Sequence, residues 1–254
     1  MRIPVITGVI DRRILVNFRV APDAMARQLP PPFRPKVVHG HAIGGICLIR
    51  LKQVRPRFVP LPVGLRSENA AHRIAVEWDA DDGPREGVYI PRRDTDSRLN
   101  SLAGGRLFPG EHHHARFTVE ESDERFSVSM RSDDDAASVE VVARVSDEFP
   151  AESVFDSLEE VSAFFEAGSL GYSATRFAGR YDGLELRCRD WNVQPLLVEQ
   201  VASSFFQDPA RFAPGTVEFD CALLMRGIHH EWHGRDDLCC AENQGTGPFS
   251  RQPA

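Results

Sequence analysis

Short stretches in which apolar and polar residues alternate, separated by turn-forming residues, recur through most of this chain of 254 residues. A period of two is typical of β-strands that bury one face. The pattern predicts strands at 13–20, 36–39, 42–51, 73–78, 88–91, 113–120, 126–131, 138–145, 170–175, 184–189, 192–198 and 217–225. The regular alternation of strands with long helices that a doubly wound fold needs is missing, as is a glycine fingerprint for dinucleotides. We therefore predict a mainly β (α+β) fold.

Helical patterns are few and short. The clearest lies at 158–167, where Ser157 and Glu160 have the spacing of a capping box and Gly168 follows the last apolar residue. Shorter helices are predicted at 22–29, at 97–105 and near 203–206. Because the 158–167 segment has one apolar face, we expect it to cover the sheet.

Neither a repeat nor a change in composition divides the chain. We therefore predict one domain over residues 1–240, followed by a disordered tail at 241–254 that has little to bury. The five cysteines are an odd number without CxxC spacing, which favours reduced thiols and a cytoplasmic location over disulfides or a zinc site.

The net charge of −7 argues against non-specific attraction to nucleic acids or anionic membranes, and no apolar run approaches the ~20 residues of a membrane span. Among 30 basic residues only Lys36 and Lys52 are lysines. Nearly every positive charge is therefore a guanidinium, which stays protonated and cannot serve as an amine nucleophile.

Three segments of the chain resemble a known family: RILVNFRVAPDAMARQLPPPFRPKVVHGHAIGGICLIRLKQVRP, LRSENAAHRIAVEW and LAGGRLFPGEHHHARF. They are similar to the YqjF-like family of uncharacterised proteins and, through it, to the acetoacetate decarboxylase-like superfamily, over about 13–233. The resemblance implies a β-barrel with a few short covering helices, often in a homo-oligomer. It also implies an interior pocket for a small carboxylate or keto acid.

Decarboxylases of that superfamily use a lysine Schiff base. The resemblance implies that this lysine follows a Gly-Gly-Arg-like stretch, which here is Gly104-Gly105-Arg106 and is followed by Pro109 to His114. No lysine occurs after Lys52, and Lys36 and Lys52 lie among arginines, as solvated surface lysines do. We predict that neither forms a Schiff base.

Polar residues are dense at 68–73, where a loop enters a predicted strand, and such density is typical of a small-molecule site. We predict Glu68 or His72 as the proton carrier, and Arg73 with Asn69 as contacts to a substrate carboxylate. The alternative is a structural ion pair of Glu68 with Arg73 or Arg66.

The next candidates are Arg92 and Arg93, one of which should point inward. We choose Arg92 as a substrate contact, while Asp94 or Asp96 could instead neutralise it.

The run of His112, His113 and His114 should place the first and third histidine on one face of a strand, so it supplies at most two ligands to one ion. A metal centre would need Glu68, His72 or another residue from a neighbouring strand. We predict His112 and His114 as acid/base groups, because an imidazole titrates near neutral pH. The alternative is that one of these histidines is a core residue whose hydrogen bonds are satisfied, while the others are solvated.

Two further patterns are weak. His229-His230-Glu231-Trp232-His233 lacks the HExxH spacing of zinc proteases and favours a strand. Ser203, Ser204 and Cys47 lack the sequence context of a nucleophile elbow.

The sequence thus predicts a protein that binds a small organic acid or ketone, with lyase-type acid/base chemistry and no cofactor or resident metal. Two alternatives stay open: a non-catalytic ligand-binding or sensory protein, and a metal-dependent enzyme that uses the histidines.

Overall fold

A computed structural model describes residues 4–59, 64–80, 82–103 and 110–239. The chain forms one large sheet with three short helices, α1 (Pro22–Ala26), α2 (Arg98–Ala103) and α3 (Leu158–Ala167). Its strands are β1 (Ile6–Val20), β2 (Arg34–Pro35), β3 (Val37–Val38), β4 (His41–Pro56), β5 (Leu65–Ala80), β6 (Gly83–Thr95), β7 (His112–Glu121), β8 (Arg125–Ser132), β9 (Ser138–Val145), β10 (Leu170–Ala174), β11 (Arg180–Cys188), β12 (Gln194–Ser203) and β13 (Val217–Cys239). The mainly β prediction is confirmed.

The strand pairings close on themselves. One closed path runs from β13 through β1, β4, β5, β6, β10 and β11, and it closes because β11 pairs with β13. We call this the seven-strand ring. A second path leaves β6 through β7, β8, β9 and β12 and also returns to β13. All pairings are antiparallel except those of β6 with β7 and with β10.

Both faces of the central strands are buried, which gives the molecule two apolar clusters. In β1, Ile14 and Val16 belong to one cluster, whereas Leu15 belongs to the other. Successive side chains of a strand point to opposite faces, so a strand between two cores needs apolar residues at nearly every position. The long apolar run at the start of β4 follows from this arrangement.

Helix α3 has the predicted bounds. The Ser157 hydroxyl accepts a hydrogen bond from the Glu160 backbone N–H, and Val161 and Phe165 are buried in the second cluster. α1 ends earlier than predicted, and residues 204–207 form turns rather than the expected helix. Among the described residues, no helix has the length and apolarity needed to cross a bilayer. The predicted tail at 241–254 lies outside the described residues.

Candidate functional site

A cavity of about 150 Å³ lies within the seven-strand ring. Every strand of the ring contributes at least one residue to its lining: Trp232, Arg13, Cys47, Arg73, Arg93, Gly171 and Leu184. Phe165 at the end of α3 and Trp191 add aromatic surface. The cavity therefore combines apolar walls with a few polar groups, as small-molecule sites do.

Four lining residues form one row across four neighbouring strands. Cys47 of β4 is the register partner of Ala71 in β5, Ala71 is that of Arg93 in β6, and Arg93 is that of His112 in β7. Direct partners point to the same face of a sheet, and neighbouring strands are about 4.8 Å apart. The small side chain of Ala71 therefore leaves open space between the thiol of Cys47 and the guanidinium of Arg93.

Three arginines of the lining have no carboxylate partner among the described residues. The Arg13 Nε donates to the Cys47 Sγ at 3.3 Å, and its guanidinium lies 5.7 Å from the Trp191 ring centre. Arg73 donates to the Asn17 Oδ1 and lies 4.3 Å from the Phe165 ring centre.

The third arginine of this group, Arg93, donates from its Nε to the Ser173 Oγ at 3.0 Å. The acidic residue of the lining, Asp94, is already bound by Arg92. The three guanidinium groups of Arg13, Arg73 and Arg93 therefore carry charges that the described protein does not neutralise.

Such charges are costly to bury, since desolvation disfavours the ionised form. Burial lowers the pKa of Arg73 and that of Arg93 to about 10 each. Both groups are still protonated at neutral pH. Arg73 is only 5% exposed, and its Nε has no hydrogen-bond partner among the described residues. An anion in the cavity would supply both the missing charge and the missing acceptor.

His112 is neutral in this site at pH 7. Burial, followed by the positive charge of Arg93, lowers its pKa to about 4. Its Nδ1 lies 3.2 Å from the Gly110 carbonyl oxygen, which can only accept, so Nδ1 carries the proton. The positive potential of the cavity therefore comes from the arginines alone.

The structure brings three of the predicted site residues to the cavity and leaves four outside its lining. Asn69, Arg73 and His112 line it, whereas Glu68, His72, Arg92 and His114 do not. The predicted grouping of Glu68, His72 and Arg73 therefore needs correction. Glu68 and His72 are separated by an even number of positions from each other and by an odd number from Arg73, so the pleat places them on the opposite face.

Glu68 belongs to an ion-pair network on that opposite face. Its Oε2 accepts from Arg12 at 2.5 Å, and its Oε1 accepts from Arg50. Glu121 also binds both arginines. The pairing that the sequence left open for Glu68 thus exists, but with Arg12 and Arg50 rather than with Arg66 or Arg73.

Replacing Glu68 by glutamine should lower the free energy of unfolding by about 3 kcal/mol, because two buried guanidinium groups would lose a carboxylate. Urea unfolding at pH 7 measures the effect. Glu120→Gln, at an exposed position of β7, is the matched control and should change stability by less than about 0.5 kcal/mol. Equal stability of the two variants would contradict the structural role of Glu68.

His72 is fully buried among apolar groups, 5.1 Å from the Phe205 ring centre. Neither of its ring nitrogens has a hydrogen-bond partner among the described residues. His114 lies further along β7, where its Nδ1 is 2.7 Å from Asp133, and His113 lies 3.3 Å from Asp134. The three histidines therefore do not converge on one point.

Arg93 takes the inward position that the sequence assigned to Arg92. Val88 and Ile90 line the cavity, so strict alternation would also turn Arg92 inward. However, β6 contains one extra residue between its partners for His72 and Ile74, and this bulge shifts the alternation by one position. Arg92 instead forms ion pairs with Asp94 at 2.8 Å and Asp134 at 2.9 Å.

Both lysines lie outside the lining. Lys36 is paired with Glu86 at 2.6 Å, and Lys52 is paired with Asp11 at 2.8 Å. The Gly104-Gly105-Arg106 stretch lies outside the described residues. Among the residues that are described, one group of His, Cys, Asp and Glu has the spacing for a metal ion, namely His39, Asp156 and Glu160. It does not include the His112 to His114 run.

Arg13 and the aromatic residues of the lining were not among the predicted site residues, and Cys47 and Arg93 were weighed without being chosen. Arg13 is the last of three charged residues, Asp11 to Arg13, and Cys47 lies within an apolar run, so no local motif marks either as a site residue. What the two residues share is their position in the fold, since both line the cavity.

Comparisons with known proteins agree with this fold. The family described as DUF2071, Uncharacterized conserved protein, matches residues 9–216. No match was found among curated proteins. Acetoacetate decarboxylase from Legionella pneumophila superposes with a TM-score of 0.59 and 11% identity, covering 95% of this chain and 89% of that one.

Two further structures share the architecture. An acetoacetate decarboxylase-like enzyme from Sphingomonas wittichii RW1 has a TM-score of 0.55 and 11% identity, covering 93% of this chain and 92% of that one. The enduracididine biosynthesis enzyme MppR, in complex with pyruvate, has a TM-score of 0.50 and 16% identity, with coverages of 91% and 88%. At such identities the likeness establishes the fold alone.

Proposed function

This chain belongs to the DUF2071 family of uncharacterized conserved proteins and has the acetoacetate decarboxylase-like fold, and from that premise we propose that its cavity binds a small organic acid. The observation that carries the proposal is the set of three arginines, Arg13, Arg73 and Arg93, without carboxylate partners among the described residues. A guanidinium presents two parallel N–H groups to a carboxylate, so each arginine is a suitable anchor.

The size and the walls of the cavity restrict the ligand. A volume of about 150 Å³ suits an acid of a few heavy atoms, and Phe165, Trp191 and Trp232 suit an apolar or planar remainder. The pyruvate complex of MppR shows that a protein of this architecture holds an acid of that size. The narrower resemblance to YqjF-like proteins, as well as homo-oligomer formation, stay predictions.

Lyase-type chemistry here has no amine to use, since neither lysine lines the cavity. Glu68 and His72 also lie outside the lining, and of the predicted acid/base groups His112 is the one that lines it. These positions favour a second candidate function, a ligand-binding protein without catalysis. Turnover of a bound oxo acid, followed by NMR, separates the two candidates.

Calorimetry at pH 7 tests the binding itself. Pyruvate, acetoacetate and propionate should bind, whereas propionamide, which has the shape of propionate without its charge, should bind at least tenfold more weakly. The reason is that a neutral amide leaves the buried guanidinium charge uncompensated. Equal binding of propionate and propionamide, or no binding of any acid, would refute the proposal.

Filling the cavity should block the ligand. Ala71→Leu adds three carbons to the open space between Cys47 and Arg93, and we expect it to weaken acid binding by roughly tenfold or more, since overpacking typically costs about 1–3 kcal/mol. Ala136→Leu, in an exposed turn, is the matched control. Thermal unfolding verifies that both variants fold, and unchanged affinity in Ala71→Leu would place the ligand elsewhere.

A further inference from the structure

Cys47 lines the cavity and is at the same time a buried member of the second apolar cluster. It is 7% exposed, and its Sγ accepts the hydrogen bond from the Arg13 Nε at 3.3 Å. Cysteines that react are typically found beside positive charges at partly accessible positions. Cys47 has the guanidinium of Arg13 beside it, and it is reached from the cavity that it lines.

The same cavity is lined by a buried arginine that has an unused hydrogen-bond donor. Arg73 is 5% exposed and lines the cavity, and its Nε has no hydrogen-bond partner among the described residues. This second observation is independent of the cysteine, and it points to an anionic ligand beside the thiol. An anion bound by Arg73 would therefore lie in the same cavity as the Cys47 thiol.

The row of side chains across the sheet fixes where that molecule can lie. Cys47 and Arg93 are both register partners of Ala71, on opposite sides of it, so their Cα atoms are about 10 Å apart with only a methyl group between them. An acid that spans this gap has its carboxylate at an arginine and its next carbon atoms towards the sulfur.

We propose that Cys47 adds reversibly to the carbonyl carbon of an oxo acid bound in the cavity, forming a hemithioketal. The inference rests on the proposed function, and it narrows the ligand class from organic acids to those with a ketone or aldehyde. It also gives the cavity a covalent nucleophile in a chain whose lysines lie elsewhere.

The addition is balanced without a further reactant. The Cys47 sulfur forms a bond to the carbonyl carbon, and the π bond of that carbonyl breaks. The proton that leaves the thiol ends on the former carbonyl oxygen as a hydroxyl. Nothing is oxidised or reduced. The Arg13 Nε–H points at the sulfur, and the positive charges of the other arginines favour the transient oxyanion.

The other described cysteines do not line the cavity. Burial raises the pKa of Cys221, which accepts from Asn17 and does not line the cavity. Cys188 and Cys239 are also outside the lining, and Cys239 is largely solvated. Cys188→Ser is therefore a matched control.

Carbon NMR of the protein with [2-13C]pyruvate tests the inference. We expect a tetrahedral-carbon signal from the bound ligand in the native protein and in Cys188→Ser, and its loss in Cys47→Ser. Calorimetry should show pyruvate binding roughly tenfold more weakly to Cys47→Ser, while propionate, which has no ketone or aldehyde group, loses much less.

The outcomes separate the two proposals. Pyruvate binding without a tetrahedral signal overturns the role of Cys47 and leaves acid binding intact, whereas absence of binding overturns both. A second measurement needs no variant: iodoacetate should alkylate Cys47 faster than neutral iodoacetamide does, and pyruvate should slow the reaction. A Cys47 peptide that reacts faster with iodoacetamide, or is not protected by pyruvate, contradicts the inference.

Discussion

Arg73→Met is expected to weaken pyruvate binding by roughly 100-fold or more and, at the same time, to make the fold more stable. The loss of affinity follows because a buried charged anchor contributes about 2–5 kcal/mol to a partner that it holds. The gain in stability follows because the unliganded protein no longer buries a guanidinium without a carboxylate.

Methionine keeps the apolar stem of Arg73 but not its guanidinium, so the cation–π contact with Phe165 is lost and offsets part of the gain. The Asn17 Oδ1 loses its donor, which offsets part of the gain. We expect a net increase of about 1–3 kcal/mol in the free energy of unfolding.

Calorimetry and urea unfolding measure the two effects of Arg73→Met. Arg116→Met, with a side chain 86% exposed, is the control and should change neither. A variant that loses stability and keeps its affinity would assign Arg73 to the scaffold.

Acidification from pH 7 to pH 4.5 is expected to destabilise the unliganded protein strongly. Burial lowers the pKa of His72 to about 3, and that of His112 and His230 to about 4. Nearby arginines add to the effect: Arg92 and Arg211 for His72, Arg93 for His112, and Arg13 for His230.

The direction follows from proton linkage. An unfolded histidine titrates near pH 6.5, so below that pH the unfolded chain binds protons that the folded chain does not. The stability contributed by the three neutral histidines is complete above about pH 6.5 and is lost as the pH falls towards their folded pKa values. Each histidine lowers the free energy of unfolding by about 1.4 kcal/mol per pH unit in that window.

Urea unfolding at several pH values measures the slope. His72→Leu should reduce the slope by about one histidine's share, because leucine suits the apolar contacts with Phe205 and Phe206. His41→Asn, at the solvated start of β4, is the control. A slope that is identical in His72→Leu and in the native protein would show that His72 gains protons in the folded state.

Elements whose signals are local were predictable from the sequence. The α3 helix has a complete capping box, and the meander of β7, β8 and β9 alternates cleanly between acidic turns, so both were predicted close to their bounds. The single-domain prediction for residues 1–240 stays a prediction.

The site was harder to predict because its members are joined by register rather than by sequence proximity. His72 and Arg73 are neighbours in the chain yet belong to opposite cores, while Cys47 and Arg93 are far apart in the chain and lie on either side of Ala71. Because of a single extra residue in β6, Arg93 rather than Arg92 points into the cavity. Pairing partners and bulges depend on the tertiary fold, so a local pattern does not reveal them.

Alternation along the shared strands has a consequence for how such a protein can change over time. In β5, residues 67, 69, 71 and 73 face the cavity, whereas residues 74 and 76 belong to the other cluster. Two sets of residues are thus interleaved along one strand. One set shapes the cavity, and the other packs the apolar cluster on the opposite face. Substitutions in the cavity-facing set change the shape and charge of the cavity while the other set preserves the scaffold, and neither change requires an insertion or a deletion.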